Sequence, residues 1–183
     1  MLQHVLKKAN SRLGFLRRNL KGSPRELKRV AYVSLVRSLM EYSAAIWDPH
    51  LVKDVGSLEA VQRRAVRWIK QDYSFKASVT AMQKELGLTQ LDQRRGDQRL
   101  ILMYKVVHGL VFVQPSDLGL VPADSRTRAS HKFKFRLPRC STNELRHSFA
   151  TRTVGAWNKL PASAAEAGSL DLFRSQLGAS RPK

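Results

Sequence analysis

The sequence predicts a mainly α-helical protein, in which a helical bundle is followed by a small α+β lobe. Apolar residues recur every three or four positions over most of the first 113 residues, which is the period of amphipathic helices. Glycines and prolines separate these segments. After residue 130 one segment instead alternates apolar and basic residues, as a β-strand does. We therefore expect a helical domain over residues 1–113 and an α+β extension with a frayed end over residues 114–183.

The first two predicted helices form an antiparallel hairpin, because the connection between them is short. The first runs from Leu2 to about Lys21. Ser23 is the expected cap of the second, with Pro24 at its first helical position, and this helix continues to about Tyr42. The apolar residues expected to face inward on the second helix are Leu27, Val30, Ala31, Leu35 and Leu39.

Three more helices are predicted after the turn at residues 48–49, where aspartate precedes proline. They run from about residue 55 to 70, from 78 to 86 and from 91 to 108. Ser78 is the expected cap of the middle one. In the extension, residues 132–137 predict a half-buried strand, and residues 144–149 a second strand that pairs with it as a short β-hairpin. Helices over about 151–159 and 170–177 follow, the last capped by Ser169.

Charge is the outstanding property of the composition. The chain has 33 Lys and Arg against 14 Asp and Glu, a formal net charge of +19. A partner dense in negative charge would relieve this self-repulsion, and polyphosphate backbones are the first candidate. An anionic membrane surface is the next, and a merely soluble basic protein is the alternative without a partner. No apolar run approaches the ~20 residues of a membrane-spanning helix, and the first residues lack a signal-peptide core. We expect a nuclear or cytoplasmic protein without a membrane partner, and not a secreted one.

The acidic residues do not form a pattern typical of catalysis. No two of them are adjacent, whereas a two-metal site needs carboxylates brought together. The five histidines form no helical metal pair, Cys140 is the only cysteine, and no glycine-rich phosphate loop is present. We expect no catalytic residue, no metal and no cofactor, and an independent enzyme such as a nuclease is a remote alternative.

The basic residues form clusters with few acids nearby, whereas solvated faces normally mix both signs. Dipole complementation at a helix end explains Lys21 as well as phosphate contact does. It does not explain arginines in the middle of a helix, and arginine pairs with phosphate in bidentate fashion. Such contacts would be sequence-blind. The candidate nucleic-acid contacts are Arg17, Arg18, Lys21, Arg63, Arg64, Arg67, Lys70, Arg94, Arg95, Arg126, Arg128, Lys132, Lys134 and Arg152.

Several segments together resemble a known family. They are KKANSRLGFLRRNLK, LVRSLMEYSAAIWDPH, LEAVQRRAVRWI, ADSRTR, HSFATRTVGAWNKLP and SLDLFRSQL. Their order and spacing resemble the region beyond the palm in reverse transcriptases of LINE-type (non-LTR) retrotransposons of the jockey and CR1 kind. The most specific stretches are residues 41–50 and 157–161. Departures are Ser38, where the family usually has proline, and Gly56, where it has a helix-friendly residue.

The resemblance implies the thumb and C-terminal extension of an RNA-directed DNA polymerase, without its palm or endonuclease. Its expected partner is RNA or DNA, as the backbone of a template–primer hybrid. The resemblance places five arginines near that duplex: Arg17, Arg18, Arg63, Arg64 and Arg67. Upstream polymerase domains are a possible second partner. The alternative function is a structural or interaction module whose amphipathic helices dock a partner protein, such as the palm, through an exposed apolar patch.

Overall fold

The computed structural model describes residues 1–124 and 131–179, with the side chain of residue 179 left out. It is mainly helical, which confirms the predicted class in its coarse form. The chain divides into two compact units, Met1–Arg95 and Gly96–Lys183, and the division falls inside a helix. The sequence instead predicts a boundary after residue 113. The second half of the dividing helix contributes Met103 and Tyr104 to the core of the second unit.

The first unit is built from helices joined by short turns. Its elements are α1 (Leu2–Asn19), α2 (Arg25–Tyr32), a π-helical turn (Val33–Arg37), α3 (Ser38–Glu41), α4 (Ala44–Trp47), α5 (Val52–Lys70) and α6 (Val79–Glu85), followed by the start of α7 (Leu91–Val107). The helix α1 packs against α5 and against the continuous run from α2 to α3. Leu6, Leu13 and Leu16 of α1 are buried there, as its predicted stripe requires.

The second predicted helix is present, but its inward face was predicted only in part: Ala31 packs against the core as expected. Leu27, Val30 and Leu35 are about half exposed, and Lys28 and Tyr32 are buried instead. Buried residues along this run are spaced by four: Lys28, Tyr32, Val36 and Met40. On a regular α-helix a four-residue spacing drifts by about 40° per step. The π-helical turn winds the chain less per residue, so it offsets the drift and keeps this row on one side.

The turns of the first unit show which local predictions are sound. The second helix begins at Arg25 with Pro24 at its N-cap, and Ser23 does not cap it. The Ser78 hydroxyl accepts a hydrogen bond from the backbone N–H of Ala81, which confirms the predicted cap of α6. Between the helices, the Tyr32 hydroxyl donates to Gln62 Oε1 at 3.0 Å in the core.

The second unit contains the rest of α7 and several short helices. Its further elements are a 3₁₀ turn (Pro115–Leu118), α8 (Asn143–Arg146), α9 (Phe149–Trp157), α10 (Ala162–Ala165) and α11 (Leu170–Ala179). The Ser169 hydroxyl accepts from the backbone N–H of Leu172, as expected of a cap. The core centres on aromatic rings, with Phe173 stacked on Tyr104 at 4.5 Å between centroids and fully buried Trp157 at 6.1 Å.

The predicted β-hairpin is absent from the described part of this unit. Residues 143–146 form a helix, because the Thr142 hydroxyl caps it by accepting from the N–H of Leu145. The predicted strand at 132–137 makes a single isolated antiparallel bridge, between Pro122 and Phe135. Its backbone partner is thus the segment around residues 121–123 and not the predicted second strand.

Side chains of α9 and the residue after it satisfy the other edge of this extended segment. Asn158 accepts from the N–H of Phe135 at 3.1 Å and donates to the carbonyl of the same residue at 2.7 Å. The Trp157 indole N–H donates to the carbonyl of Phe133 at 2.7 Å. These bonds replace those of a second strand, since a buried backbone group needs a partner but not a particular kind of partner. The conspicuous Trp-Asn pair of the sequence is therefore structural.

Candidate nucleic-acid interface

A basic groove lies where the end of α1, the start of α2 and the end of α5 meet. Its volume is about 600 Å³, which falls within the roughly 300–1,000 Å³ of ligand pockets. The residues that line it are Gly14, Arg17, Arg18, Lys21, Lys28, Trp68, Gln71 and Tyr73. The structure thus brings together the three candidate cations of the first helix, and adds a fourth cation and two aromatic rings.

The cations at the rim of the groove come from the last turn of α1 and the residue that follows its C-cap. Arg17, Arg18 and Lys21 are all exposed. The Arg18 guanidinium folds back along the helix, so that a β-carbon added at Gly14 would lie 3.5 Å from its Nη1. Within residues 1–124 and 131–179, these three side chains have no ion pair and no hydrogen bond. The helix dipole favours cations here but does not neutralise them.

Lys28 is the cation that the sequence analysis missed. Its side chain is buried, with the residue 1% exposed, and its Nζ lies 5.9 Å from the centroid of the Trp68 ring. It belongs to the row of buried residues spaced by four on α2. Its burial could not be read from the apolar pattern, because that pattern marks only apolar residues as inward and Lys28 is charged.

The candidate cations of α5 are spread along the helix. Arg63 is exposed, and Arg64 donates from Nη2 to Asn10 Oδ1 at 2.7 Å. Arg67 donates from Nη1 to the backbone carbonyl of Ser74 at 3.0 Å. These acceptors are neutral, so both arginines keep their full charge. Lys70 differs, because it forms an ion pair with Glu85.

Arg95 is a correction to the predicted interface. It is completely buried, and its Nε donates to Asp48 Oδ1 at 2.7 Å, while the side chains are 1% and 2% exposed. Burial lowers the pKa of Arg95 from its ordinary value, although nearby carboxylates raise it in part, Asp92 first among them. A guanidinium in this position holds the turn at residues 48–49 against the start of α7. It cannot reach a phosphate while the unit is folded.

Arg94 is also engaged within the fold. Its Nε and Nη2 both donate to the Glu41 carboxylate, with Nη2 at 2.9 Å from Oε2. Arg37 lies 3.6 Å from the same carboxylate. Burial first and then the Arg94 cation lower the pKa of Arg37, while Glu41 raises it. One carboxylate thus serves two arginines, and Arg94 is only one-third exposed.

The second unit holds the remaining candidates. Lys132 is two-thirds exposed and lies 3.8 Å from Glu166. Lys134 and Arg152 are half-buried. Burial and the neighbouring Arg152 cation lower the pKa of Arg99 to about 10. Arg126 and Arg128 lie outside the described residues.

An apolar groove of about 610 Å³ is a separate feature of the first unit. It is lined by Met1, Val5, Ser38, Leu39, Tyr42, Ser43, Ile46 and Trp47. Tyr42 and Ile46 are nearly four-fifths exposed. Together with the half-exposed leucines of α2 and the π-helical turn, they leave unburied apolar surface on this unit.

Among residues 1–124 and 131–179, no three His, Cys, Asp or Glu side chains are grouped as metal ligands would be. No helix in these ranges is both long enough and apolar enough to span a bilayer. Comparison with protein-family models, with curated proteins and with solved structures found no match to this chain. The resemblance to LINE-type reverse transcriptases therefore stays a prediction that rests on the sequence motifs alone.

Proposed function

We propose that this chain is a nucleic-acid-binding module that contacts the phosphate backbone through its first unit and has no catalytic activity of its own. The observation that carries the proposal is the basic groove. Three exposed cations at its rim have no carboxylate partner in the described residues. Cations without internal partners are the groups that phosphates can neutralise with release of counterions.

The motif resemblance refines this proposal to a thumb and C-terminal extension of a LINE-type reverse transcriptase that binds an RNA–DNA hybrid. Arg63, Arg64 and Arg67 on α5 fit that role, because Arg63 is exposed and the acceptors of Arg64 and Arg67 are neutral. Arg95 does not fit it, and Arg94 fits it poorly.

The test is binding of a labelled RNA–DNA hybrid to the full chain over a series of KCl concentrations, measured by fluorescence anisotropy. The affinity should fall steeply as salt rises, with a slope of about 0.9 per phosphate contact on a logarithmic plot. Replacing Arg17, Arg18 and Lys21 together by Gln should reduce that slope by about two to three. A matched control replaces the exposed Lys8, Lys53 and Lys84 of the same unit by Gln, which removes the same charge from positions that do not line the groove.

The control variant should keep the slope of the original chain within about one contact. The proposal would be refuted if the original chain did not bind the hybrid, or if its affinity did not depend on salt. Equal slopes for the groove variant and the control variant would move the interface away from the groove.

The apolar groove favours a second candidate function, docking of a partner protein. Tyr42 and Ile46 expose aromatic and aliphatic surface to water. A partner that covered it would gain roughly 25 cal/mol per Å² of apolar surface buried. Sedimentation of the purified chain tests this candidate. A monodisperse monomer over a wide range of concentration would count against it, whereas self-association removed by Ile46→Asp would support it.

A further inference from the structure

The buried lysine of the basic groove has no charge partner. Lys28 is 1% exposed, and in residues 1–124 and 131–179 no carboxylate or hydrogen-bond acceptor pairs with it. Its one described electrostatic contact is the Trp68 ring, whose centroid is 5.9 Å from Nζ. A lysine side chain buried to this extent normally has an anion beside it. The other charged residues that line the groove are also cations, so no carboxylate in the groove neutralises Lys28.

The wall of the groove offers an aromatic face to a ligand. Tyr73 lies on the turn that follows α5 and is 59% exposed. The turn is fixed by local contacts: Gln71 adopts a left-handed conformation at φ 56°, and Ser74 bonds both Asp72 and Arg67. An exposed ring on a fixed turn can stack with a nucleobase, and such stacking tolerates any base.

A duplex backbone does not account for both features. Its phosphates can meet the exposed cations of the rim, but its bases are paired and stacked on each other, so none is free for Tyr73. An unpaired nucleotide carries a phosphate and a free base together. The groove has the volume for one such unit. A phosphorylated peptide would supply the anion but would leave the aromatic wall without a matching group.

We propose that the basic groove binds an unpaired nucleotide of the bound nucleic acid, with its phosphate toward Lys28 and the rim arginines and its base against Tyr73. This rests on the proposed function, because it assumes that the groove faces nucleic acid. It adds a preference for a single-stranded segment over the duplex at this one place in the molecule.

The experiment compares a short labelled single strand with a duplex of the same length, on the full chain and on variants. Tyr73→Ala removes the stacking face. Lys28→Met removes the charge and keeps a side chain of similar length, so the fold should be retained. Tyr73→Phe keeps the ring and should restore binding. Phe75→Ala is the matched control, since Phe75 is a fully exposed aromatic residue on the same turn that does not line the groove.

We expect Tyr73→Ala and Lys28→Met each to weaken single-strand binding about tenfold, the order of one stacked base or one charged contact, while duplex binding changes less than twofold. Phe75→Ala and Tyr73→Phe should bind both ligands like the original chain. Circular dichroism establishes that each variant is folded, and the exposed Tyr73 supplies a test that does not depend on the buried lysine.

The outcomes separate the two proposals. If the original chain binds the duplex and the single strand, but Tyr73→Ala and Lys28→Met leave single-strand binding unchanged, the nucleotide site is refuted and the proposed function stands. If Phe75→Ala weakens binding as much as Tyr73→Ala, the groove is again refuted as the site. If the chain binds neither ligand, the proposed function itself fails. If a phosphoserine peptide at equal concentration displaced the single strand, the proposed ligand would be a phosphorylated protein and not a nucleotide.

Discussion

Removal of the buried carboxylate at Asp48 should destabilise the first unit strongly. In the variant Asp48→Ala, the guanidinium of Arg95 remains fully buried but loses the acceptor that lies 2.7 Å from its Nε. Breaking a buried ion pair by removing one partner costs about 3–5 kcal/mol, since the other charge stays desolvated. Asp92 lies 3.4 Å from Nη2 and offsets part of that loss, but its side chain is more than half exposed and screened by water. We therefore expect a loss of about 3 kcal/mol.

The measurement is urea denaturation followed by far-ultraviolet circular dichroism, with hydrogen exchange of the α5 amides to assign the loss to the first unit. Asp92→Ala is the matched control, because it removes an exposed carboxylate from the same guanidinium. It should cost less than about 1 kcal/mol. The double variant Asp48→Leu with Arg95→Met replaces both charges by apolar groups and should recover most of the stability. Equal small losses for Asp48→Ala and Asp92→Ala would refute the reasoning.

Two further predictions concern the second unit. Asn158→Ala leaves the N–H and the carbonyl of Phe135 without their side-chain partner. The free energy of unfolding should therefore fall by about 2–4 kcal/mol in the same denaturation assay. A loss below about 0.5 kcal/mol would contradict the role given to this amide. Burial lowers the pKa of His131, with a smaller contribution from Lys134, while the bond to the Trp157 carbonyl raises it. The neutral ring therefore stabilises the fold at pH values above the unfolded-state pKa of about 6.5, and this stabilisation is lost as the pH falls through the pKa of the folded state. The variant His131→Gln should therefore show a smaller decline in melting temperature between about pH 7 and 5.

Helix positions and caps could be predicted because they depend on neighbours in the sequence. Ser78 and Ser169 cap the helices that follow them, as each short polar residue before an apolar periodic run suggested. The bounds of α1 and α7 also follow the predicted segments closely. These features need only local hydrogen bonds and the spacing of apolar residues.

The buried face of α2 could not be predicted, because it depends on how α2 packs against α1 and α5, which the apolar pattern does not encode. Leu27 and Val30 are hydrophobic and yet exposed, while Lys28 is charged and yet buried. The false hairpin has a comparable cause. The alternation at residues 132–137 correctly indicated an extended chain, but it could not identify the partner of each edge. One edge is satisfied by Asn158, whose role requires a tertiary contact.

The candidate interface shows why a count of cations does not locate a binding site. A sequence gives the same letter to an arginine that holds a fold together and to one that faces solvent. Arg94 and Arg95 lie beside each other in a basic run, and their carboxylates come from residues 41 and 48, far away along the chain. The contacts of the first unit pair these two and leave Arg17 and Arg18 without acids in the described residues. The charges of Arg17 and Arg18 thus remain available to a phosphate, and variants at these positions test the proposal most directly.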